Sequence, residues 1–272
     1  MLLPRLITLL LGVPLLLWTA HLGGIPFLSL VVVLVLFALH EYSWILQRSG
    51  QKISRLLLLG GGFFMVLSLY LSGTAWGTPL KNQGTALGLS LLLALLVIAE
   101  LIRMPPDRSL PAVLYAWFGL FWIAWSLGHL PLIRGLRPHG EAYLLFLFFS
   151  LWTLDIGAYL IGRLLGKRSL APLISPKKSW EGAVGGALLC LAVAILLQRS
   201  FFSSIFTARE MIPITLFLIL LGQFSDLSES WLKRIAGVKD ASQILPGHGG
   251  ILDRFDSFLL TTPLYYYWVS LK

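Results

Sequence analysis

Residues 143–162 read YLLFLFFSLWTLDIGAYLIG, twenty positions with one charged side chain, Asp155. A helix needs about 20 predominantly apolar residues to cross the hydrocarbon layer of a bilayer, so this run has the length and character of a membrane span. Working outward from it, further apolar runs bounded by charge, Gly or Pro fall at about 6–20, 24–40, 56–73, 85–102, 112–130, 182–198, 212–232 and 257–271. With 143–162 they predict an all-α fold, a polytopic integral membrane protein of about nine transmembrane helices. The first two runs are also compatible with one re-entrant hairpin. The opening MLLPRLITLLLGVPLLLWTA has the form of a signal peptide, Arg5 before an apolar stretch, but no small-x-small cleavage site follows, so we expect it to stay as the first span.

Composition supports this reading. Of 272 residues, 57% are hydrophobic and only 12% charged, against about 25% charged in soluble domains. That excludes a soluble domain and a disordered chain. A lone cysteine, Cys190, excludes an intramolecular disulfide framework. The net charge of +9 does not indicate nucleic acid, because the cations sit between apolar runs rather than on a water-soluble face. With nine spans and the N-terminus inside, fifteen of the twenty-one Lys and Arg residues fall on the cytoplasmic side, the bias expected of a polytopic protein.

The chain is asymmetric. Residues 1–142 form an N-terminal set of transmembrane helices with short loops and no internal repeat, whereas 143–272 carry the chemistry. Among the twelve acids, Asp155, Glu181, Asp226, Glu229, Asp240, Asp253 and Asp256 lie in this second half, several within or beside spans. Carboxylates in apolar surroundings are costly and mark function by default.

The stretch 222–256 reads GQFSDLSESWLKRIAGVKDASQILPGHGGILDRFD. Asp226, Glu229, Ser230 and Lys233 follow i, i+3, i+4, i+7 and form one polar stripe on a helix, lining a cavity. An i,i+4 salt bridge between Glu229 and Lys233 explains part of it equally well. After Pro246, the Gly247-His248-Gly249-Gly250 turn lets backbone N–H groups approach an anion, and a helix starting near Ile251 would add its positive end. An ordinary Gly-rich turn has the same composition, but Asp253 and Asp256 on the next helical face set hard oxygen ligands beside it, as holding Mg²⁺ on a phosphate requires. His248 reads equally as a loop histidine or a phosphate contact.

The loop from Gly162 to Gly182 carries five cations, and Ser175, Lys177, Lys178 and Ser179 around Pro176 mix hydroxyl and ammonium groups in a compact turn suited to phosphate oxygens. Orientation bias or anionic lipid heads would also account for the charge. Ser179 and Glu181 have the spacing to cap the following helix.

The run Ser230-x-x-Lys233-Arg234-x4-Lys239-Asp240-x-Ser242-x3-Pro246-x-His248-Gly249-Gly250-x-x-Asp253-Arg254-x-Asp256 resembles the signature of the phosphatidate cytidylyltransferases, or CDP-diacylglycerol synthases. The Ser175–Gly182 block and Asp226 resemble the family too, so the likeness covers roughly residues 150–260. It implies the reaction CTP + phosphatidate → CDP-diacylglycerol + pyrophosphate in phospholipid synthesis, catalysed by an integral, commonly dimeric enzyme that uses Mg²⁺. A second cation, monovalent or divalent, is compatible with it. On this resemblance Asp226, Asp253, Lys233 and Lys239 are expected to be catalytic, and Asp226, Asp253 and Asp256 to hold metal. Ser175, Lys177, Lys178, Ser179, Ser230, Arg234, Asp240, His248, Gly249, Gly250 and Arg254 are expected to bind substrate. The site would lie on the cytoplasmic side of a bacterial inner membrane, where soluble CTP meets a lipid phosphate. A CTP-dependent polyprenol kinase and an ion-coupled transporter remain alternatives at this stage.

Overall fold

The structure, a computed structural model, describes residues 3–73, 84–103, 105–238, 241–242 and 249–271. Eleven α-helices run through them: α1 (Leu3–Leu22), α2 (Gly24–Arg48), α3 (Arg55–Gly73), α4 (Gly84–Arg103), α5 (Pro106–Gly119), α6 (Ser126–Gly135), α7 (Gly140–Leu165), α8 (Trp180–Ser200), α9 (Ala208–Ile235), α10 (Leu252–Phe255) and α11 (Thr261–Ser270). A π-helical segment, Leu120–Trp125, joins α5 to α6, so that Arg108–Gly135 forms one continuous span of 28 residues. Seven helical segments among the described residues are long and apolar enough to cross a bilayer, consistent with an all-α polytopic membrane protein.

The apolar surface is arranged as a bilayer demands. On α4, Gly88, Leu92, Leu96 and Glu100 are buried at four-residue intervals, while Leu91, Leu95, Ile98 and Ile102 face outward. An outward apolar stripe of this kind is stable against lipid and unfavourable in water.

Two runs differ from the sequence expectation. The second, expected over 24–40, continues to Arg48 and buries Glu41 completely. The last, expected over 257–271, is a 3₁₀ turn at Asp256–Phe258 followed by the ten residues of α11. Ten helical residues rise about 15 Å, half a bilayer's hydrocarbon thickness. Its apolar character belongs to the bundle core instead: Phe258 and Tyr265 are fully buried, and the Tyr265 hydroxyl donates to the Tyr143 carbonyl at 3.0 Å.

One core runs through both halves of the chain, with Phe27 and Tyr42 from α2, Phe146 and Phe148 from α7, and Phe206 and Phe258 further on. The closest helix pair is α7 with α8, where a Cβ on Gly186 would fall 2.7 Å from the Leu154 carbonyl oxygen. Only a glycine permits that approach. Between these helices lies a small antiparallel hairpin, β1 (Ser169–Ala171) with β2 (Ser175–Ser179), pairing Ser169 with Ser179 and Ala171 with Ser175. The expected compact turn around Pro176 is therefore a strand. As the spacing predicts, Ser179 caps α8, its hydroxyl accepting the Gly182 N–H at 3.1 Å. The C-terminal ends of α2, α7 and α9 and the N-terminal end of α8 gather at one end of the bundle with the hairpin and α10, and there the chemistry collects.

Candidate active site

The last two turns of α9 present the polar stripe expected from the sequence, and each of its charged members finds a different partner. Asp226 Oδ1 lies 2.6 Å from Lys178 Nζ on β2. One turn on, Glu229 Oε2 meets Lys233 Nζ at 2.6 Å, and the same ammonium reaches Asp253 Oδ1 at 2.7 Å. Glu229 is wholly buried and Lys233 12% exposed, so Lys233 neutralises two carboxylates away from bulk water. The i,i+4 bridge is real, and it extends to the signature carboxylate. Ser230 is buried on the same face.

Asp253 is held on every side. Its Oδ2 accepts the N–H groups of Gly250 at 2.7 Å and Ala241 at 3.1 Å. The Ile251 and Leu252 N–H groups, expected to serve a phosphate, instead donate to Glu41 at 2.9 and 2.7 Å. The Ser242 hydroxyl donates to Glu41 as well, at 2.5 Å. A protein carboxylate from α2 thus fills the start of α10. Sequence reasoning passed over Glu41; the available signal was an acid inside a helix otherwise apolar enough to span.

Asp256 opens a second group. Ser225 of α9 bonds the Asp256 carbonyl through its hydroxyl and accepts the Leu260 N–H at 3.0 Å, which pins the 3₁₀ turn against α9. The Ser257 hydroxyl donates to Asp155 Oδ2 at 3.1 Å, tying the turn to α7. Burial, together with the negative charges of Asp226, Asp155 and Glu229, holds the Asp256 carboxyl well above the usual carboxylate range. Asp155 is exposed although neighbouring elements surround it, and Asp226 and Asp256 are partly exposed, so these carboxylates line an open recess, with the Lys178 ammonium nitrogen buried against Asp226 at its wall.

The hairpin that carries Lys178 is fastened at three points. Glu181 Oε2 accepts the N–H groups of Lys167 at 3.0 Å and Arg168 at 3.2 Å, and the Arg234 Nε donates to the Ile174 carbonyl at 2.9 Å. Arg234 is thereby engaged with backbone rather than pointing at the recess. Ser175 is partly buried and Lys177 exposed on β2, Ser179 is occupied as a cap, and Arg254 is exposed on α10. Gly249 and Gly250 lead into α10. Lys239, Asp240 and His248 lie outside the described residues.

Among the described residues, no group of three or more His, Cys, Asp or Glu side chains is placed to hold a metal ion. The donor type in the recess, carboxylate oxygens of Asp155, Asp226 and Asp256 with excess negative charge, is nevertheless the kind a hard divalent cation takes. Asp253 fits less well as a direct ligand, since both of its oxygens are engaged by Lys233 and backbone N–H groups.

Comparison with known proteins adds three relations. A family profile described as the cytidylyltransferase family matches residues 3–272, which extends the likeness well beyond the signature region. A phosphatidate cytidylyltransferase of Bacillus subtilis is 33% identical over 98% of this chain and 97% of its own length. One from Brucella suis is 33% identical over 96% of this chain and 91% of its own, and one from Staphylococcus saprophyticus is 49% identical over 47% of this chain and 49% of its own.

Proposed function

The chain belongs to the cytidylyltransferase family, and from that premise we propose that it is a membrane-embedded phosphatidate cytidylyltransferase, converting CTP and phosphatidate to CDP-diacylglycerol and pyrophosphate. The observation that carries the reading is the open recess of Asp155, Asp226 and Asp256 beside Lys178, set where several long apolar helices end. A lipid phosphate reaches such a place without leaving the bilayer, and a soluble triphosphate reaches it from water.

In the proposed reaction an oxygen of the phosphatidate phosphate attacks the α-phosphorus of CTP. The new P–O bond forms as the bond from that phosphorus to the bridging oxygen breaks, and pyrophosphate leaves with the electron pair. The attacking oxygen is already ionised near neutral pH, so no strong general base is required. Asp226 and Asp256, with Asp155 alongside, are the residues that would hold Mg²⁺, and a second cation is compatible with three carboxylates. Bound there, the ion would supply charge neutralisation between two polyanions. Lys178, with Lys177 and Arg254 near it in the fold, orients phosphate oxygens, and Lys239 and His248 are proposed to do so from the signature loop. Lys233 sets the position of Asp253. Ser175, Ser230, Gly249 and Gly250 shape the walls around them, Ser179 and Arg234 hold the hairpin in place, and Asp240 is proposed to contact substrate from the signature loop.

We place the site at the cytoplasmic face of a bacterial inner membrane. Supporting this, Arg48, Arg103, Arg108, Arg163, Lys167 and Arg168 lie at the same end of the spans as the recess, as positive-inside orientation requires. A homodimer is the assembly suggested by the family resemblance, and the particle mass in detergent tests it.

The deciding experiment incubates the detergent-solubilised protein with CTP labelled in the α-phosphate, phosphatidate and Mg²⁺. Label is expected in the lipid product with release of pyrophosphate, both lost in Asp253→Asn. Transfer of γ-label to a prenol instead, or no transfer by folded protein, would overturn the assignment.

A further inference from the structure

Glu41 comes from the half of the chain that carries no signature residue, yet it is fully buried at the centre of the signature's turn. Its Oε1 accepts the Ser242 hydroxyl and the Ile251 N–H, and its Oε2 accepts the Leu252 N–H. Beside it, the Gly250 N–H ends on Asp253. Three successive backbone donors therefore all terminate on protein carboxylates. A fourth constraint is steric: a Cβ at Gly250 would fall 2.6 Å from Glu41 Oε2, so the turn lies directly against this carboxylate.

We propose that Glu41 is a positioning residue for cytidylyl transfer, an internal anion that sets the 249–253 turn and, through it, Asp253. The inference rests on reading residues 222–256 as the catalytic region. Three donors converge on two oxygens, a demand only a carboxylate meets: the amide of a glutamine would turn its own N–H groups toward one of the donors. Because α2 packs within the core, the turn is referenced to the helix bundle rather than to its own backbone alone. With Glu41 buried and its donors consumed, the nucleotide's phosphates are held by side-chain cations such as Lys178 and not by the start of α10.

The test uses the full-length protein in detergent, comparing Glu41→Gln, Ser242→Ala and the double variant for turnover and for equilibrium CTP binding. In Glu41→Gln, kcat should fall about ten-fold to 10²-fold, the scale on which small displacements of reacting groups act, while the Kd for CTP stays within about two-fold of wild type. Ser242→Ala should lower kcat by a smaller factor, and the double variant should be no worse than Glu41→Gln, since both act through one carboxylate. A wild-type kcat in Glu41→Gln overturns the proposal. So does tighter CTP binding in that variant, which would mean that Glu41 competes with phosphate for the same donors. Should Glu41→Gln fail to fold, Ser242→Ala decides, and an unchanged kcat there overturns it. Failure of wild-type protein to move α-label would instead remove the reaction on which the inference rests, a result distinct from equal turnover in both proteins.

Discussion

Lys178 Nζ and Asp226 Oδ1 stand 2.6 Å apart, joining the strand before α8 to the last turns of α9. The two side chains are 26% and 30% exposed, but the ammonium nitrogen of Lys178 is itself buried against the carboxylate. On the proposed reading, a triphosphate that takes up the ammonium frees the carboxylate for a cation. On that reading the pair keeps both groups neutral until substrate arrives.

Asp226→Asn removes the carboxylate from this exchange. Transfer of α-label should fall about 10²-fold or more, on the scale of losing one preorganised electrostatic group in a site. Because the amide oxygen of Asn can still accept from the Lys178 ammonium, the thermal midpoint should move little. Wild-type turnover in this variant would remove Asp226 from the site.

Lys233→Met should behave in the opposite way. It leaves Glu229 and Asp253 without their shared cation in a buried setting, and breaking a buried pair costs about 3–5 kcal/mol. A lowered thermal midpoint in detergent, together with loss of activity, is the expected result. Loss of CTP affinity at an unchanged midpoint would instead put Lys233 in contact with the nucleotide.

Chelation should stop the reaction and Mg²⁺ should restore it. Asp256→Asn should raise the Mg²⁺ concentration needed for half-maximal rate by about ten-fold to 10²-fold, the range found when groups around a metal are altered. An activation curve superimposable on wild type would place the ion elsewhere.

Ser225→Ala tests how Asp256 is held. It strips the Leu260 N–H of its acceptor and leaves the Asp256 carbonyl with the Leu259 N–H alone, and an unsatisfied buried group costs about 1–3 kcal/mol. Stability should drop by that amount in denaturant titration, and the Mg²⁺ activation curve should shift in the direction seen for Asp256→Asn. A stability loss with an unmoved activation curve would make Ser225 a packing residue only.

Much of this architecture is legible in the sequence. The apolar runs predict about nine spans, of which seven are long and apolar enough to cross among the described residues, and the Glu229–Lys233 bridge follows from helical spacing. The partner of Asp226 is not legible, because Lys178 arrives from a hairpin whose pairing of Ser169 with Ser179 has no strong periodic signal. The run expected over 24–40 stops at its first carboxylate. The helix continues through Glu41, whose carboxylate receives hydrogen bonds from Ser242, Ile251 and Leu252, information held in a contact across the whole chain. The run 257–271 shows a further limit: apolar composition marks burial without saying whether protein or lipid provides it.

The attachment of the signature turn to α2 bears on how small this enzyme can be made. A fragment beginning near residue 143 would retain every motif residue and still lack the group that fastens the turn before Asp253. Supplying the N-terminal helices as a separate polypeptide should then restore activity only where that polypeptide reaches beyond residue 41, which makes the second helix, not the motif, the minimal boundary for any split or shortened version.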